Sequence, residues 1–490
     1  MSAGTVQAAD RMLQGLAAYT CGVKPEATLS TQRICKSAVM DTLAVALGAL
    51  PHPAAQVARK YARHAQVSHG ATLWGSGETV TAEAAALANG VPLRGYDYND
   101  LYMGRSGGHP SDIIPGLLAL AEWRGLPGAR LLDAIAIGYE VTISLFDVIE
   151  MHAKGWDYPT LVGLGATCAC ARLLALDAAQ TREAIAICAI TNFVSDEVES
   201  GELNARGDLT MWKRFNGGDA VRHAIYACLL AECGAEGAVR PFEGKTAFLS
   251  KVAAMLEPLE ALHEKLAACR FDGRVNDAVF KRWPVGSRAQ SAIQAALEAR
   301  QDVKDVWAIQ RIRVSTDEQA YQHFVARRAD PWHPISRETA DHSMPYVVAA
   351  AILDGHIKTS SFDPAIVVEP RRQQFMNDKL AVEIAAELSG GARTGFLTRV
   401  EIIDADGAQQ VGEAKAPPGH TKQPFSDKDF EEKLIENVAP LFGPEHALAL
   451  ATAVWRMEKL PDCGTLSALL VLNDTTCIEP DPGAHKTREK

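Results

Sequence analysis

Long apolar segments rich in alanine and leucine follow one another through the first half of the chain, and this succession limits the possible folds more than any other feature. Residues 34–50 read ICKSAVMDTLAVALGAL, which is apolar over a wide face of a helix. Such a helix must be covered by others. Six further segments predict helices of the same character, at 82–89, 112–123, 131–148, 163–176, 181–193 and 219–233. The pattern predicts that these helices pack into one all-helical domain.

The helix predicted at 112–123 has two signals at its start. Ser111 precedes it, and serine is a favoured N-cap residue. Pro115 falls close to its first turn, where proline is tolerated. We therefore expect Ser111 to cap this helix.

The sequence pattern changes near Phe271. Residues 307–315 (WAIQRIRVS) and 398–404 (TRVEIID) alternate apolar and charged side chains, which is typical of half-buried strands. A turn signal, Ala-Asp-Gly, follows the second strand at 405–407. Residues 343–353 between them read as a helix, so the middle of the chain is predicted to be α+β.

The helical pattern returns near Phe430, with apolar segments at 430–438, 445–457 and 466–472. The predicted fold is therefore mainly α: a large all-helical domain formed by both ends of the chain, with an inserted α+β lid domain. The predicted boundaries are 1–270 and 431–478 for the helical domain, 271–430 for the lid, and 479–490 for a flexible, Pro-, Gly- and charge-rich tail.

Composition excludes several classes of protein. The 490 residues are 47% apolar and 22% charged, with a formal net charge of −11 and no long run of Lys and Arg, so we expect no nucleic-acid partner. The first twenty residues lack the pattern of a secretory signal, and no apolar run is long enough to span a bilayer. Ten scattered cysteines are consistent with reduced thiols, so we expect a cytoplasmic protein with no membrane partner.

The segment 96–112 (YDYNDLYMGRSGGHPSD) concentrates chemically active side chains between two predicted helices. It holds Asp97, Arg105 and His109 in a stretch broken by glycines. Loops of this composition often carry active sites. The alternative interpretation is a polar connection whose side chains only complete turns.

Two further segments carry basic residues beside glycines. In 210–220 (TMWKRFNGGDA), Lys213 and Arg214 precede a glycine pair that opens a helix, an arrangement suited to carboxylates. In 280–290 (FKRWPVGSRAQ), Lys281 and Arg288 surround a Pro-Gly loop at the expected domain junction, where pockets are common. Solvated surface charges are the alternative for both.

A fourth segment, 337–346 (RETADHSMPY), leads into the helix predicted at 343–353. Asp341 and Ser343 are both able to cap that helix. For Asp341 and His342, a structural role and a catalytic role are equally compatible with the pattern.

Taken together, these segments resemble the MmgE/PrpD family. The resemblance rests on five motifs in order: DYND…GGHPSD, MWK…GGDAVRHA with PFEG downstream, FKRWP, RETADHSMPY…LDG, and PPGH at 417–420. It implies a helical domain with a lid-like α+β domain, usually in a homodimer, and an active site in the cleft between them. The family includes 2-methylcitrate dehydratases, cis-aconitate decarboxylases and an iminodisuccinate epimerase, which act beside carboxylates without metal or organic cofactor.

The resemblance also implies roles for particular residues. The expected catalytic residues are Asp97, His109, Lys213 and Lys281. The expected substrate-binding residues are Arg105, Asp157, Arg288 and Tyr321. Three positions depart from the decarboxylases: Leu101 stands where they carry threonine, and Asp157 and Gly286 lie near positions where they carry histidine.

The predicted activity is that of a cofactor-independent hydro-lyase, which dehydrates a small β-hydroxy polycarboxylate such as 2-methylcitrate or citrate. Lys213, Lys281 and Arg288, with Arg105, would neutralise substrate carboxylates, since an acidic chain needs a local cationic pocket to hold an anion. His109 and Asp97 are the expected acid–base pair, with either order of roles possible.

Two kinds of alternative remain open at the level of sequence. An epimerase, isomerase or decarboxylase of a related polycarboxylate could use the same scaffold. A non-catalytic helical interaction protein is the alternative from another class, although such a scaffold has no need of the Asp, His, Lys and Arg clusters.

Overall fold

The computed structural model of the chain describes residues 9–25, 29–198, 210–254, 259–388 and 397–478. Helices dominate these residues and the sheets are small, which confirms the prediction of a mainly α fold with a small sheet-containing part. The predicted flexible tail, 479–490, lies outside the described residues.

All the helices predicted in the first half are present, with ends shifted by a few residues. They span Leu29–Gly48, Ala82–Leu93, Ile113–Trp123, Gly128–Val148, Pro159–Leu174, Ala178–Thr191 and Asn216–Glu232. Four more were not predicted: Arg11–Gly22, Pro53–Ala62, Phe248–Val252 and Leu259–Ala267. Polar N-cap residues start one helix of each group: the side chain of Asp10 accepts the N–H of Leu13 in Arg11–Gly22, and that of Asp177 accepts the N–H of Gln180 in Ala178–Thr191.

The predicted cap at Ser111 is wrong. A short 3-10 turn, Pro110–Asp112, precedes the helix Ile113–Trp123, which therefore begins beyond the reach of the serine hydroxyl. That hydroxyl instead accepts a hydrogen bond from Asn99 Nδ2 (3.0 Å), and the Ser111 N–H donates to Asp100 Oδ1 (3.1 Å). Ser111 thus braces the preceding loop.

The two ends of the chain share one apolar core. This core includes residues between Met12 and Phe280 and resumes at Phe430. The late helices Asp427–Phe442 and Pro444–Trp455 contribute to it, and the first packs along Leu29–Gly48. Each fully buried large apolar side chain contributes roughly 1.5–3 kcal/mol, so these long-range contacts fasten the late helices to the early ones.

A second core belongs to the middle of the chain, between Trp283 and Ala414. It lies under a four-stranded sheet in the order Leu380–Ile384, Arg311–Thr316, Thr398–Ile403, Gln409–Ala414. The first two strands are parallel and the other neighbours antiparallel. The predicted domain boundaries stay a prediction, but the cores separate between residues 280 and 283 and between 414 and 430.

Both strands predicted in the middle of the chain are present. The first begins at Arg311, later than expected, because Val306–Ala308 forms a 3-10 turn capped by Asp305. The helices beside the sheet span Gln290–Ala299, Glu318–Tyr321, Arg337–Ala340, Met344–Asp354, Pro364–Val367 and Pro370–Lys379. The predicted helix at 343–353 is thus confirmed.

Two short hairpins lie in the first half, one pairing Gln66–Thr72 with Thr79–Val80 and the other Tyr102–Met103 with Gly107–Gly108. Within the described residues, the last α-helix is the short segment Gly464–Ser467. Within the described ranges, no single helix has the length and apolar character to cross a membrane, and one pair that qualifies together is bent by 96°.

Candidate active site

The loop after the helix Ala82–Leu93 bends sharply at Asp97. This residue has φ of 47°, in the left-handed region that costs a non-glycine residue about 1 kcal/mol, although aspartate tolerates it better than most. Lys281 secures the bend, because its Nζ donates both to the Asp97 carbonyl (2.6 Å) and to Asp97 Oδ1 (2.8 Å). Two predicted site residues, 184 positions apart, therefore form one buried ion pair.

More cations surround this pair. Arg94, only 2% exposed, places Nη1 3.6 Å from Asp97 Oδ1. Lys213 is also buried, and its charge lowers the pKa of Asp97. Arg214 donates to the Arg94 carbonyl (3.0 Å) and forms an ion pair with Glu338. The sequence had indicated the lysines; Arg94 was missed.

The cations determine the ionisation of the central pair. Burial alone would raise the pKa of Asp97, but Lys281, Arg94, His342 and Lys213 together hold it well below its ordinary value. Burial lowers the pKa of Lys281 to about 8, with Asp97 opposing that shift. At neutral pH the aspartate is a carboxylate, and the lysine is an ammonium group that can lose a proton near pH 8.

The α+β part adds His342 to this buried cluster of charged side chains. Its other members are Asp97, Lys281, Arg94, Lys213, Arg214 and Glu338. His342 Nε2 lies 3.8 Å from Asp97 Oδ2, and its Nδ1 lies 2.5 Å from Asp341 Oδ1. Burial, with Lys213, keeps the pKa of His342 well below its ordinary value, and burial raises that of Asp341. Asp341 is therefore engaged with the histidine, while Ser343 caps the helix that follows, as predicted.

His109 lies on the other arm of the loop, with its Nδ1 2.5 Å from the carbonyl oxygen of Asp100. A carbonyl can only accept, so Nδ1 carries the proton and Nε2 the lone pair. Burial, with Arg94 and Lys281, keeps the pKa of His109 well below its ordinary value. The side chain is thus a neutral imidazole, partly buried, and it packs edge-on against Tyr158 at 5.3 Å between ring centroids.

Two buried aspartates brace the loop without a direct cation partner among the described contacts. Asp100 accepts from the Ser111 N–H (3.1 Å) and the Tyr139 hydroxyl (2.8 Å), and burial raises its pKa to about 7. Asp112 accepts from the Tyr158 hydroxyl (2.8 Å), and burial raises its pKa to about 6. These hydrogen bonds hold the loop in place.

The four residues expected to be catalytic thus lie in one neighbourhood, while the expected substrate-binding residues are more dispersed. Arg105 is exposed at the turn of the hairpin after Tyr102–Met103, away from the buried pair. Asp157 is buried, and its two oxygens accept from the Tyr158 N–H and from Asn216 Nδ2, each at 2.7 Å. These contacts indicate that Asp157 supports the start of a helix.

Arg288 and Tyr321 lie on the α+β side. Arg288 is partly buried, which lowers its pKa, and its charge helps to hold the pKa of His323 near 2, where burial is the main cause. The rings of His323 and His342 are 5.7 Å apart, so Arg288 is close to the cluster. Tyr321 is partly buried against the second core. The binding roles of both stay predictions.

A cavity of about 370 Å³ borders the cluster through Arg214 and Glu338, and it is also lined by Tyr96 and Arg337. Its volume suits a small molecule. Within the described ranges, no group of three or more His, Cys, Asp or Glu side chains is arranged to hold a metal ion. The cluster offers cations, a carboxylate and neutral histidines, which suits proton transfer beside an anionic ligand.

Comparison with known proteins gives the family. The model of the MmgE/PrpD N-terminal domain matches residues 14–257, and that of the MmgE/PrpD C-terminal domain matches residues 283–459. The chain belongs to the MmgE/PrpD family. The two matches are separated by residues 258–282, and the division between the two apolar cores falls at the end of that interval.

The relatives of this chain are named for two different activities. A cis-aconitate decarboxylase from Homo sapiens is 26% identical over 455 residues, covering 89% of each chain. A 2-methylcitrate dehydratase from Cupriavidus necator is 24% identical and covers 90% of this chain and 92% of its own. The 2-methylcitrate dehydratase of Salmonella typhimurium is 23% identical, with 86% and 90% covered.

In this member of the MmgE/PrpD family, Phe324 fills the space between Gly286 and His342 at one edge of the cluster. A Cβ atom at this position would lie 2.6 Å from Phe324 Cζ and 3.4 Å from His342 Nε2. The first distance is a clash, so the position admits no larger side chain unless the phenylalanine moves. Phe324 stacks on the His342 ring at 5.5 Å and takes the place that a side chain at 286 would need.

Proposed function

We propose that the protein is a lyase that dehydrates a small hydroxy tricarboxylate resembling 2-methylcitrate or citrate, and that it does so as a homodimer without a cofactor. The observation that carries the proposal is the buried Asp97–Lys281 pair, set among further cations and beside neutral histidines. The names of the relatives support the chemical class of the substrate.

Substrate binding follows from the balance of charge. Among the described residues, the cluster contains three cations besides Lys213 and two ionised carboxylates; the three cations are Arg94, Arg214 and Lys281, and the carboxylates are Asp97 and Glu338. A local positive excess in a chain of net charge −11 is suited to a polyanion. Each contact between a cation and a developing oxyanion contributes roughly 2–4 kcal/mol in a dry site.

We assign proton removal to His109. Its Nε2 holds a lone pair because Nδ1 donates to the Asp100 carbonyl, so the ring can accept the proton alpha to a substrate carboxylate. The nearby cations, Arg94 and Lys281, disfavour the protonated ring in the empty site. The negative charge of a bound substrate would offset that effect and make His109 a stronger base when needed.

We assign proton donation to Lys281. As the electron pair released by the C–H bond forms the C=C bond, the C–O bond breaks and the leaving hydroxide takes a proton from the ammonium group, giving water. A pKa of about 8 suits this task, because the group is protonated at neutral pH yet gives up its proton readily. Asp97 holds the lysine in place and stabilises its charge.

Decarboxylation of a related acid is the second candidate, favoured by the match to the human cis-aconitate decarboxylase over 89% of the chain. The space around Gly286 counts against it, because the decarboxylases are expected to carry a histidine near this position, where Phe324 leaves no room. An epimerase would need the same base but no leaving group.

A substrate panel in deuterated water tests the proposal. We expect 2-methylcitrate or citrate to give an unsaturated product that absorbs in the ultraviolet, with mass spectrometry showing loss of water. Release of carbon dioxide from cis-aconitate would replace the proposal by decarboxylation. Deuterium entering a saturated product without loss of water would replace it by epimerisation.

A thermal shift measurement with the same acids addresses the non-catalytic alternative. A ligand that binds only the folded form raises its melting temperature. A panel in which no tricarboxylate raises the melting temperature or is converted would contradict the proposal.

A further inference from the structure

A completely buried lysine lies directly behind the candidate active site. Lys433, on the helix Asp427–Phe442, is 0% exposed. Its Nζ donates to Asp41 Oδ1 (2.6 Å), to the Lys281 carbonyl (2.8 Å) and to the Tyr98 carbonyl (3.0 Å). The three donors of the ammonium group are therefore all used, and two of the acceptors are backbone groups of the site.

Those two carbonyls belong to the two segments that carry the central ion pair. Tyr98 follows Asp97 immediately, and the second carbonyl is that of Lys281 itself. The Tyr98 hydroxyl donates to the Arg282 carbonyl (2.7 Å), which adds another connection between the same segments. The ammonium group also lies 4.0 Å from the centroid of the Tyr98 ring.

The backbone at Asp97 explains why such a brace is needed. A left-handed φ at a non-glycine residue persists only where neighbouring groups hold it. Lys281 holds the carbonyl of Asp97 itself, and Lys433 holds the next carbonyl along the chain. If either lysine no longer held its carbonyl, the turn would relax, and the Asp97 carboxylate would move relative to the Lys281 ammonium group.

Stability alone is a poor explanation for this buried pair. Burying an ion pair costs about as much as the attraction returns, and an apolar pair of similar size often does as well. Asp41 Oδ2, moreover, has no hydrogen-bond partner among the described residues. The specific feature of Lys433 is that it joins two site segments.

We infer that Lys433 is a positioning residue, which sets the geometry of Asp97 and Lys281 through the carbonyls of Tyr98 and Lys281. Its effect on turnover rests on the proposed function. Its effect on the mobility of the two segments does not, so the two ideas can be tested separately.

The experiment compares Lys433→Met, Asp41→Asn and the double variant, in the full-length chain. The double variant removes both charges, so it leaves no unpaired ion to unfold the protein. Asp41→Asn keeps the amine, which has enough donors for both carbonyls even when uncharged. Lys265→Met is the matched control, because Lys265 is also buried and paired with a buried carboxylate, Glu140, in the helical core.

Hydrogen–deuterium exchange gives the readout that does not depend on activity. We expect Lys433→Met and the double variant to exchange about tenfold faster or more in peptides covering residues 94–101 and 279–284. Asp41→Asn and Lys265→Met should leave those peptides near wild type. In turnover of the active tricarboxylate, kcat of the double variant should fall about 10- to 100-fold with KM little changed.

Exchange at wild-type rates in both segments of the double variant would overturn the inference, as would equal acceleration in Lys265→Met or in Asp41→Asn. Wild-type kcat in the double variant would overturn the effect on turnover. If the wild-type protein converts no tricarboxylate, the proposed function fails while exchange still decides the role of Lys433.

Discussion

Two of the buried lysine–carboxylate pairs, Lys265–Glu140 and Lys281–Asp97, differ in how many hydrogen bonds their carboxylates accept. Glu140, in the helical core, accepts from Lys265 Nζ (2.5 Å) and from the backbone N–H groups of Asp272 (2.9 Å) and Arg274 (2.8 Å), and Lys265 also donates to Ser144. Among the described residues, the carboxylate of Asp97 accepts one hydrogen bond, from Lys281 (2.8 Å). Two further neighbours, the guanidinium group of Arg94 and the neutral ring of His342, remain at 3.6 and 3.8 Å.

This difference separates a structural pair from a functional one. Backbone amides surround the carboxylate of Glu140, so that pair has little need of a ligand. Around Asp97 the neighbours are side chains instead of backbone amides, and two of them, Arg94 and His342, stand just beyond hydrogen-bond distance. Burial is common to both pairs, so the surroundings of a buried charge are more informative than its burial.

The largest expected effect is the difference in kcat between two variants, each of which lacks the lysine of one pair. Lys281→Met should lower kcat about 10²–10⁴-fold, the range for loss of a general acid or base. Lys265→Met should keep the kcat of the folded enzyme. Each removes the nearest cation of a buried carboxylate, and loss of one partner of a buried pair costs about 3–5 kcal/mol of unfolding free energy.

Steady-state kinetics and urea unfolding measure the two effects. The comparison fails if Lys265→Met loses as much activity per folded molecule as Lys281→Met.

The next largest effect tests His109, the base proposed to act beside the Asp97–Lys281 pair. His109→Gln should lower kcat about 10²–10³-fold, because an amide cannot take up the proton. His356→Gln is the control, since His356 also places Nδ1 by a backbone carbonyl, that of Asp354 (3.0 Å), but is exposed. Equal rates for the two variants in the substrate assay would remove His109 from the mechanism.

A smaller effect appears in the dependence of rate on pH. Lys281 must be protonated to act as the acid, so kcat should fall about tenfold per pH unit once the pH exceeds its pKa of about 8. His109 and Asp97 should cause no loss between neutrality and that value, because both pKa values lie well below their ordinary ranges. A rate that rises through pH 8 would instead make Lys281 the base.

The smallest effect concerns Asp100, a carboxylate with neutral donors and no direct cation partner among the described contacts. Its pKa rises on folding from 3.8 to about 7, so the folded state binds the extra proton and stability falls as the pH rises through that window. Asp100→Asn should therefore flatten the fall in unfolding free energy between about pH 4 and about pH 7.

Urea unfolding at several pH values measures this slope, with Asp112→Asn as a second variant whose window ends lower, near 6. An unchanged slope in Asp100→Asn would assign the pH dependence to other groups.

Local patterns in the sequence were enough to predict most of the long helices and two of the four strands of the larger sheet. The grouping of Asp97, His109, Lys213 and Lys281 was expected from the family resemblance. Those patterns report periodicity and glycine-broken loops, which depend on neighbouring residues. The cap at Ser111 was mistaken because its side chain binds Asn99, a partner that periodicity does not reveal.

The parts that sequence could not predict depend on distant partners. Arg94 lies in an apolar stretch, and its role becomes visible only when Asp97 bends back towards it. Lys433 meets Asp41 across 392 positions, and no spacing rule links them. Arg105 was expected to bind substrate because of the composition of its loop; the structure places it, exposed, at the turn of the short hairpin, and its binding role stays a prediction.

The order in which a ribosome makes this chain gives the buried Lys433 a further significance. Asp41 emerges 392 residues before its partner, which lies on the helix Asp427–Phe442. A nascent chain therefore has the reactive loop long before it has the lysine that secures it. The site is thus secured only after residue 433 has been made, so fragments that end before residue 427 should fold in part yet remain inert.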